Sequence, residues 1–184
     1  MIASVFIGTS LDGFIARRSG AYDFLPAGGG EPHGYDEFMA TVDALVIGRK
    51  TFESVLRLDS WPYGAKAVFV LSTSTLTTAP PGAIVEHVSG DPAVIAAQLE
   101  SRGIRHIYVD GGITIQQFLR AGLIQRLIIT LVPVLIGEGI PLFGSLSGDI
   151  NLRHIATRSF KSGLVQSEYQ VNGVCNPCSL LPLW

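Results

Sequence analysis

Short apolar runs, each stopped by glycine or a polar cluster, recur along the whole chain. They cover Ile2–Gly8, Ala44–Gly48, Ala67–Ser72, Ala83–His87, His106–Asp110, Gln125–Leu135, Leu152–Phe160 and Gly163–Val171. Runs of this length, rich in β-branched residues, predict strands buried on both faces. Between the earlier runs the apolar positions change to a spacing of three and four, which predicts helices. Gly34–Val42 sets Tyr35, Phe38, Met39 and Val42 on one face, and Thr51–Leu56 buries Phe52, Val55 and Leu56. Asp91–Arg102 has Asp91 as its cap, Pro92 at its first position, and Val94, Ile95 and Leu99 inward. Thr114–Ala121 turns Ile115, Phe118 and Leu119 inward, and Gly122 ends it. Alternating strands and helices predict an α/β fold with parallel strands covered on both faces. Three closing strands, with Ser162-Gly163 as a hairpin turn, predict an antiparallel edge.

Composition narrows the class. The chain has 184 residues, of which 47% are hydrophobic and 15% charged, enough for one core and too few for two. One domain over residues 1–172 and a C-terminal tail over 173–184 are expected. A net charge of −2 gives no basic footprint for nucleic acid. The apolar stretch Leu123–Ile136 is interrupted by Gln125, Arg126 and Pro133, so no membrane span is expected. Met1–Phe6 lacks the basic start of a signal peptide, and a soluble cytoplasmic protein is the default. Cys175 and Cys178 have neither a following helix nor nearby histidines, which favours a loose tail over a redox or zinc pair. The histidines are scattered, so no metal site is expected. Pro26–Pro32 is a glycine-rich loop, a candidate lid.

The chemistry concentrates at two glycine-ended strands. Ala44–Gly48 runs straight into Arg49-Lys50-Thr51 and a helix, and Ile107–Asp110 into Gly111-Gly112 and another. Such turns aim backbone N–H groups at an anion, and arginine adds a planar fork of donors. The pair predicts a phosphorylated cofactor, with a nicotinamide dinucleotide as the leading candidate. Neither turn is Gly-x-Gly-x-x-Gly. Leu71-Ser72-Thr73-Ser74 offers hydroxyls at the end of a third strand, for the adenosine half of the cofactor or as an ordinary polar loop. Asp12-Gly13 predicts a tight turn. Glu138, between two glycines, either faces substrate or is an exposed loop charge.

Taken in order, Ser10-Leu11-Asp12-Gly13, Val46–Thr51, Val109–Gly112 and Pro133–Gly137 resemble the dihydrofolate-reductase-like superfamily. The similarity is greatest to the C-terminal reductase domain of riboflavin biosynthesis, and it spans about Ile2 to Val171. The resemblance implies a three-layer fold with a mixed, mainly parallel sheet of about eight strands. It implies NADPH as reductant and a small heterocyclic substrate, as for a 5-amino-6-(5-phosphoribosylamino)uracil reductase. Dihydrofolate reduction and non-catalytic dinucleotide binding are the alternatives. By the same resemblance Arg49 and Lys50 meet the 2′-phosphate, and Gly48 and Thr51 the pyrophosphate. Leu71 and Ser72 meet the adenosine end, and Gly111, Gly112 and Ile113 the pyrophosphate and nicotinamide side. Asp12 becomes a substrate-side candidate, with Asp36 and Glu138 as further acids for holding substrate or relaying a proton. The helix carboxylate of dihydrofolate reductases has no assured counterpart near Glu31-Pro32-His33, and the nearby cations are limited to Arg17 and Arg18. A homodimer is expected from the apolar run Leu127–Ile136.

Overall fold

The computed structural model describes residues 1–26, 31–76 and 78–172. The centre of the candidate lid and the tail with Cys175 and Cys178 lie outside the described residues. In chain order the elements are β1 (Ile2–Ser10), β2 (Phe14–Ala16), α1 (Tyr35–Ala40), β3 (Ala44–Gly48), α2 (Arg49–Val55), β4 (Ala67–Leu71) and β5 (Val85–Val88). There follow α3 (Pro92–Ser101), β6 (His106–Asp110), α4 (Gly112–Arg120), β7 (Arg126–Val132), β8 (Ile140–Pro141), β9 (Leu152–Ser159) and β10 (Val165–Val171).

Eight strands form one sheet in the order β5-β4-β3-β6-β1-β7-β10-β9. The first six run parallel, and β10 is antiparallel to both β7 and β9. The β9–β10 pairing follows from the hairpin between them, since a tight turn joins only antiparallel neighbours. Phe160 and Leu164 close it by a 2.9 Å backbone hydrogen bond, and Gly163 takes a φ of +87° in the turn.

Alternation along each strand divides the core into two layers. Ala44, Val46, Phe69, Ile107, Val109, Val5 and Ile7 face α3 and α4, where Ile95, Leu99, Ile115 and Phe118 are buried. Leu45, Ile47, Val68, Val70 and Tyr108 face α1 and α2, where Phe38, Met39 and Phe52 are buried. Asp91 caps α3 by accepting the Ala93 N–H at 2.7 Å.

Four details depart from the sequence reading. Leu56 follows the last turn of α2 and is 36% exposed, and Val94 lies on the solvent side of α3 at 54%. A second sheet, β2 with β8, pairs Phe14 with Pro141 and Ala16 with Ile140. The run Leu127–Ile136 is not a bare face: β7 sits between β1 and β10, and Leu127, Ile128 and Val132 are buried within the chain. No helix among the described residues is long and apolar enough to cross a membrane.

Candidate functional site

The topology singles out one crevice. From β3 the chain passes through α2 to β4, towards one edge of the sheet; from β6 it passes through α4 to β7, beyond β1 in the other direction. β3 and β6 are neighbours, with Ile47 opposite Asp110. Where adjacent strands send the chain opposite ways, a crevice opens at their carboxyl ends, and ligands of open α/β sheets bind there.

Both glycine bends lie at that point, and they interlock. Gly111 has a φ of +92°, and a Cβ on it would run into the Thr51 hydroxyl while sitting 3.6 Å from the Gly48 nitrogen. A Cβ on Gly48 would lie 2.8 Å from Thr114 Oγ1. Each bend therefore receives a threonine from the helix that follows the other. Gly112 is closed over by the small sheet, since its Cβ would lie 2.9 Å from Ile15 Cδ1 and 3.2 Å from Ile140 Cγ2. Gly111 is thus held to glycine by its φ and by the Thr51 hydroxyl, while a Cβ on Gly48 or Gly112 would require Thr114 or Ile15 to shift. Neither α2 nor α4 has a side-chain cap, which leaves first-turn amides open to solvent or an anion.

The cofactor-side candidates gather on three consecutive strand ends. Leu71 pairs with Gly48 in register, and Ser72 follows it. The Ser72 hydroxyl donates to the Ser74 carbonyl at 2.8 Å and accepts the Ser74 N–H at 3.0 Å. Arg49 and Lys50 are exposed, and Arg49 Nε lies 3.4 Å from Glu53. Thr51 faces Gly111, and Ile113 projects from the first turn of α4 at 63% exposure. Open amides, two exposed cations and hydroxyls at one edge fit a phosphate-bearing dinucleotide.

The three acidic candidates do not form one cluster. Asp12 accepts the N–H groups of Ile136 at 3.2 Å and Gly137 at 2.8 Å, tying the loop after β7 to the turn after β1. A bond from the Ser10 side chain, followed by these amides, holds its carboxyl below the usual range. Glu138 lies 2.9 Å from Arg18 Nη2, both exposed. Asp36 is exposed in the first turn of α1.

The acid that does sit in the crevice is Asp110, which sequence reasoning placed in a motif without a role. It shares a face of β6 with Tyr108, the face covered by α1 and α2. Its Oδ1 accepts the Gly111 N–H at 2.7 Å. Burial pushes its carboxyl up to about 6, against the opposing pull of that amide. Tyr35, Tyr63 and Tyr108 lie near enough to feel its charge. Burial first, then the charges of Asp110 and Asp36, push the Tyr35 hydroxyl up to about 12. Burial and then Asp110, Tyr35 and Tyr22 raise Tyr63 further, and Tyr108, raised the same way, donates to the Phe6 carbonyl at 2.8 Å. The signal was present in the sequence as an acid ending a buried strand directly before a double glycine.

Comparison with known proteins agrees with this architecture. The RibD C-terminal domain family matches residues 3–166. The chain belongs to that family. It is 36% identical over 163 residues to the uncharacterized Bacillus subtilis (strain 168) protein YwjB, covering 85% of this chain and 90% of that one. A candidate riboflavin biosynthesis protein from Shewanella sp. PV-4 superposes with a TM-score of 0.84 at 41% identity, covering 93% of this chain and 99% of that one. Two more distant structures share the fold. One is the Thermotoga maritima diaminohydroxyphosphoribosylaminopyrimidine deaminase/5-amino-6-(5-phosphoribosylamino)uracil reductase, with a TM-score of 0.67 at 17% identity over 92% of this chain and 56% of that one. The other is Enterococcus faecalis dihydrofolate reductase complexed with NADP(H), with a TM-score of 0.63 at 17% identity over 93% of this chain and 96% of that one. The dihydrofolate-reductase-like architecture expected from the sequence is therefore the observed one.

Proposed function

We propose that this protein is an NADPH-dependent reductase acting on a C=N or C=O carbon of a small heterocycle. The observation that carries the reading is the interlock of the Gly48 and Gly111 bends at the crevice where the chain reverses direction. NADPH would supply a hydride and leave as NADP⁺, and a proton would complete the reduced acceptor. Arg49 and Lys50 would hold the 2′-phosphate, and Leu71 and Ser72 the adenosine end. Gly48 and Thr51 would line the pyrophosphate path, with Gly111 and Ile113 towards the nicotinamide. Gly112 would act by letting Ile15 close down on the bend. The NADP(H) named for the Enterococcus neighbour supports the choice of cofactor. The uracil derivative named for the Thermotoga neighbour supports a small heterocyclic substrate.

Asp110 is the acid we assign to the substrate's polar atoms. The Asp12 carboxylate is engaged by loop amides and Glu138 by Arg18, while Asp36 stands at the mouth. A carboxyl raised to about 6 is partly protonated near neutral pH, which suits holding or passing a proton. The decisive experiment replaces Arg49 and Lys50 together by alanine and measures NADPH and NADH binding by calorimetry. NADPH affinity is expected to fall about tenfold or more and NADH affinity little. Equal losses would remove the 2′-phosphate assignment.

A two-fold homodimer and a cytoplasmic location belong to the same proposal. The surface for the dimer moves from β7 to the outer ribbon, where Leu152, Ile155 and Val165 are exposed. Sedimentation as a monomer at micromolar concentration would refute it.

A further inference from the structure

We propose that His87 is a specificity-determining residue at the adenosine end of the cofactor: its imidazolium favours the 2′-phosphate of NADPH, and its neutral ring favours the 2′-hydroxyl of NADH. The inference rests on the reductase reading above and adds to it a residue outside the glycine bends.

Placement supplies the first reason. β3, β4 and β5 end side by side, with Gly48 opposite Leu71 and Leu71 opposite Val88. Neighbouring strands lie about 4.8 Å apart, so β5 ends about 10 Å from the Gly48 bend. His87 is opposite Val70, which belongs to the core layer under α1 and α2. Partners in register share a face, so His87 stands on the side of the sheet that carries Arg49 and Lys50. It is exposed, on the outermost strand of that side.

The bonding of the ring supplies the second. His87 Nε2 lies 2.9 Å from the Ser72 backbone carbonyl. A carbonyl oxygen only accepts, so Nε2 carries a hydrogen, and Nδ1 decides what the ring can bind. In the neutral ring Nδ1 is an acceptor, which suits a ribose hydroxyl. In the protonated ring it is a charged donor, which suits a phosphate oxygen. Histidine as a side chain changes between these forms near neutral pH.

The neighbouring groups supply the third. The Ser72 hydroxyl donates its one proton to the Ser74 carbonyl at 2.8 Å and has none left for a phosphate. Arg49 shares its charge with Glu53, 3.4 Å from its Nε. The charged groups of α2, which covers this face, are Arg49, Lys50 and Glu53, with Arg57 and Asp59 in the loop that follows. On β5 itself Glu86 points to the other face, opposite Phe69, where Arg102 holds its two oxygens at 2.7 and 2.8 Å. Among the described residues the polar partner of the His87 ring is the Ser72 carbonyl, which leaves Nδ1 to a ligand.

The test uses the whole protein. NADPH and NADH are titrated by calorimetry into wild type and His87→Gln at pH 8.5 and pH 6.5. Glutamine keeps a donor for the Ser72 carbonyl and does not titrate. In wild type the ratio of NADPH to NADH affinity is expected to rise about fivefold as the pH falls, and in His87→Gln it is expected not to rise. Titration of the phosphate itself acts with the opposite sign, because a phosphate monoester loses charge at the lower pH. Repeating the wild-type titration at pH 7 in two buffers of different ionisation enthalpy reads the protons exchanged. NADPH binding is expected to take protons up, whereas a phosphate gripped by Arg49 and Lys50 alone would release them. A flat or falling ratio in wild type, an equal rise in the variant, or proton release would each overturn the proposal and leave the reductase reading standing. NADPH that binds at neither pH would sink that reading and the proposal with it. Should the variant fail to fold, the sign of the proton exchange decides.

Discussion

The two halves of the crevice are put together in different ways. The half at β4, β3 and β6 is made of contiguous turns, in which four consecutive residues, Gly48-Arg49-Lys50-Thr51, carry glycine, cations and hydroxyl to one place. The half around Asp110 is assembled from separate elements: Phe6 from β1, Tyr35 from α1, Tyr63 from the loop after α2, and the acid from β6. The first is polar and open; the second is aromatic, partly buried and negative. A contiguous turn is fixed by local backbone geometry. A wall made from four elements exists only once the sheet and α1 have packed, so its chemistry is coupled to the stability of the fold.

That contrast can be broken at either half. The largest effect is expected at the bend. Gly111→Ala must adopt a φ of +92° and meet the Thr51 hydroxyl, which is expected to cost roughly 3 kcal/mol of stability. Adding Thr51→Ala should return about 1 kcal/mol of this in a double-mutant cycle followed by urea denaturation. Strict additivity would mean that the interlock does not explain the glycine.

A smaller effect, with a distinctive sign, is expected at Asp110. Its folded pKa, about 6, lies above the ordinary 3.8. Between those values the folded state binds more protons than the unfolded one, so this group makes stability fall as pH rises from about 4 to 6. Above the folded pKa the penalty is fully present; below the unfolded one it vanishes. Asp110→Asn is therefore expected to stabilise the protein by about 2 kcal/mol at pH 8 and not at pH 4, in thermal melts at both values. A gain at pH 8 with weakened ligand binding would mark a residue kept for function at the expense of stability. No pH dependence in the difference would show that the carboxylate is well solvated.

Much of this molecule was legible in its sequence, for identifiable reasons. The strands of the main sheet are apolar almost throughout because helices cover both faces, and such runs announce themselves. Asp91-Pro92 and Ser162-Gly163 marked a helix start and a hairpin turn through local backbone preferences. Other signals needed the third dimension. α3 is apolar nearly all round, so spacing did not decide which of Val94 and Ile95 faces the core. β2 and β8 have three and two residues, too few for any period, and form because Gly112 lets Ile15 and Ile140 approach. The Asp12-Gly13 turn was legible, but the engagement of Asp12 with amides 124 and 125 positions away was not.

What the sequence determined by itself is the set of elements and the presence of two glycine-cation or glycine-pair bends, because strands, caps and turns follow from interactions among near neighbours. Only the tertiary structure decided that the bends interlock, that the candidate acids Asp12 and Glu138 are otherwise occupied, and that Asp110 lies near Tyr35, Tyr63 and Tyr108. Each of these depends on pairing between residues far apart in the chain: burial, which raises the Asp110 carboxyl, and close approach, which helps hold Gly111 to glycine, are properties of assembled layers and of no segment alone.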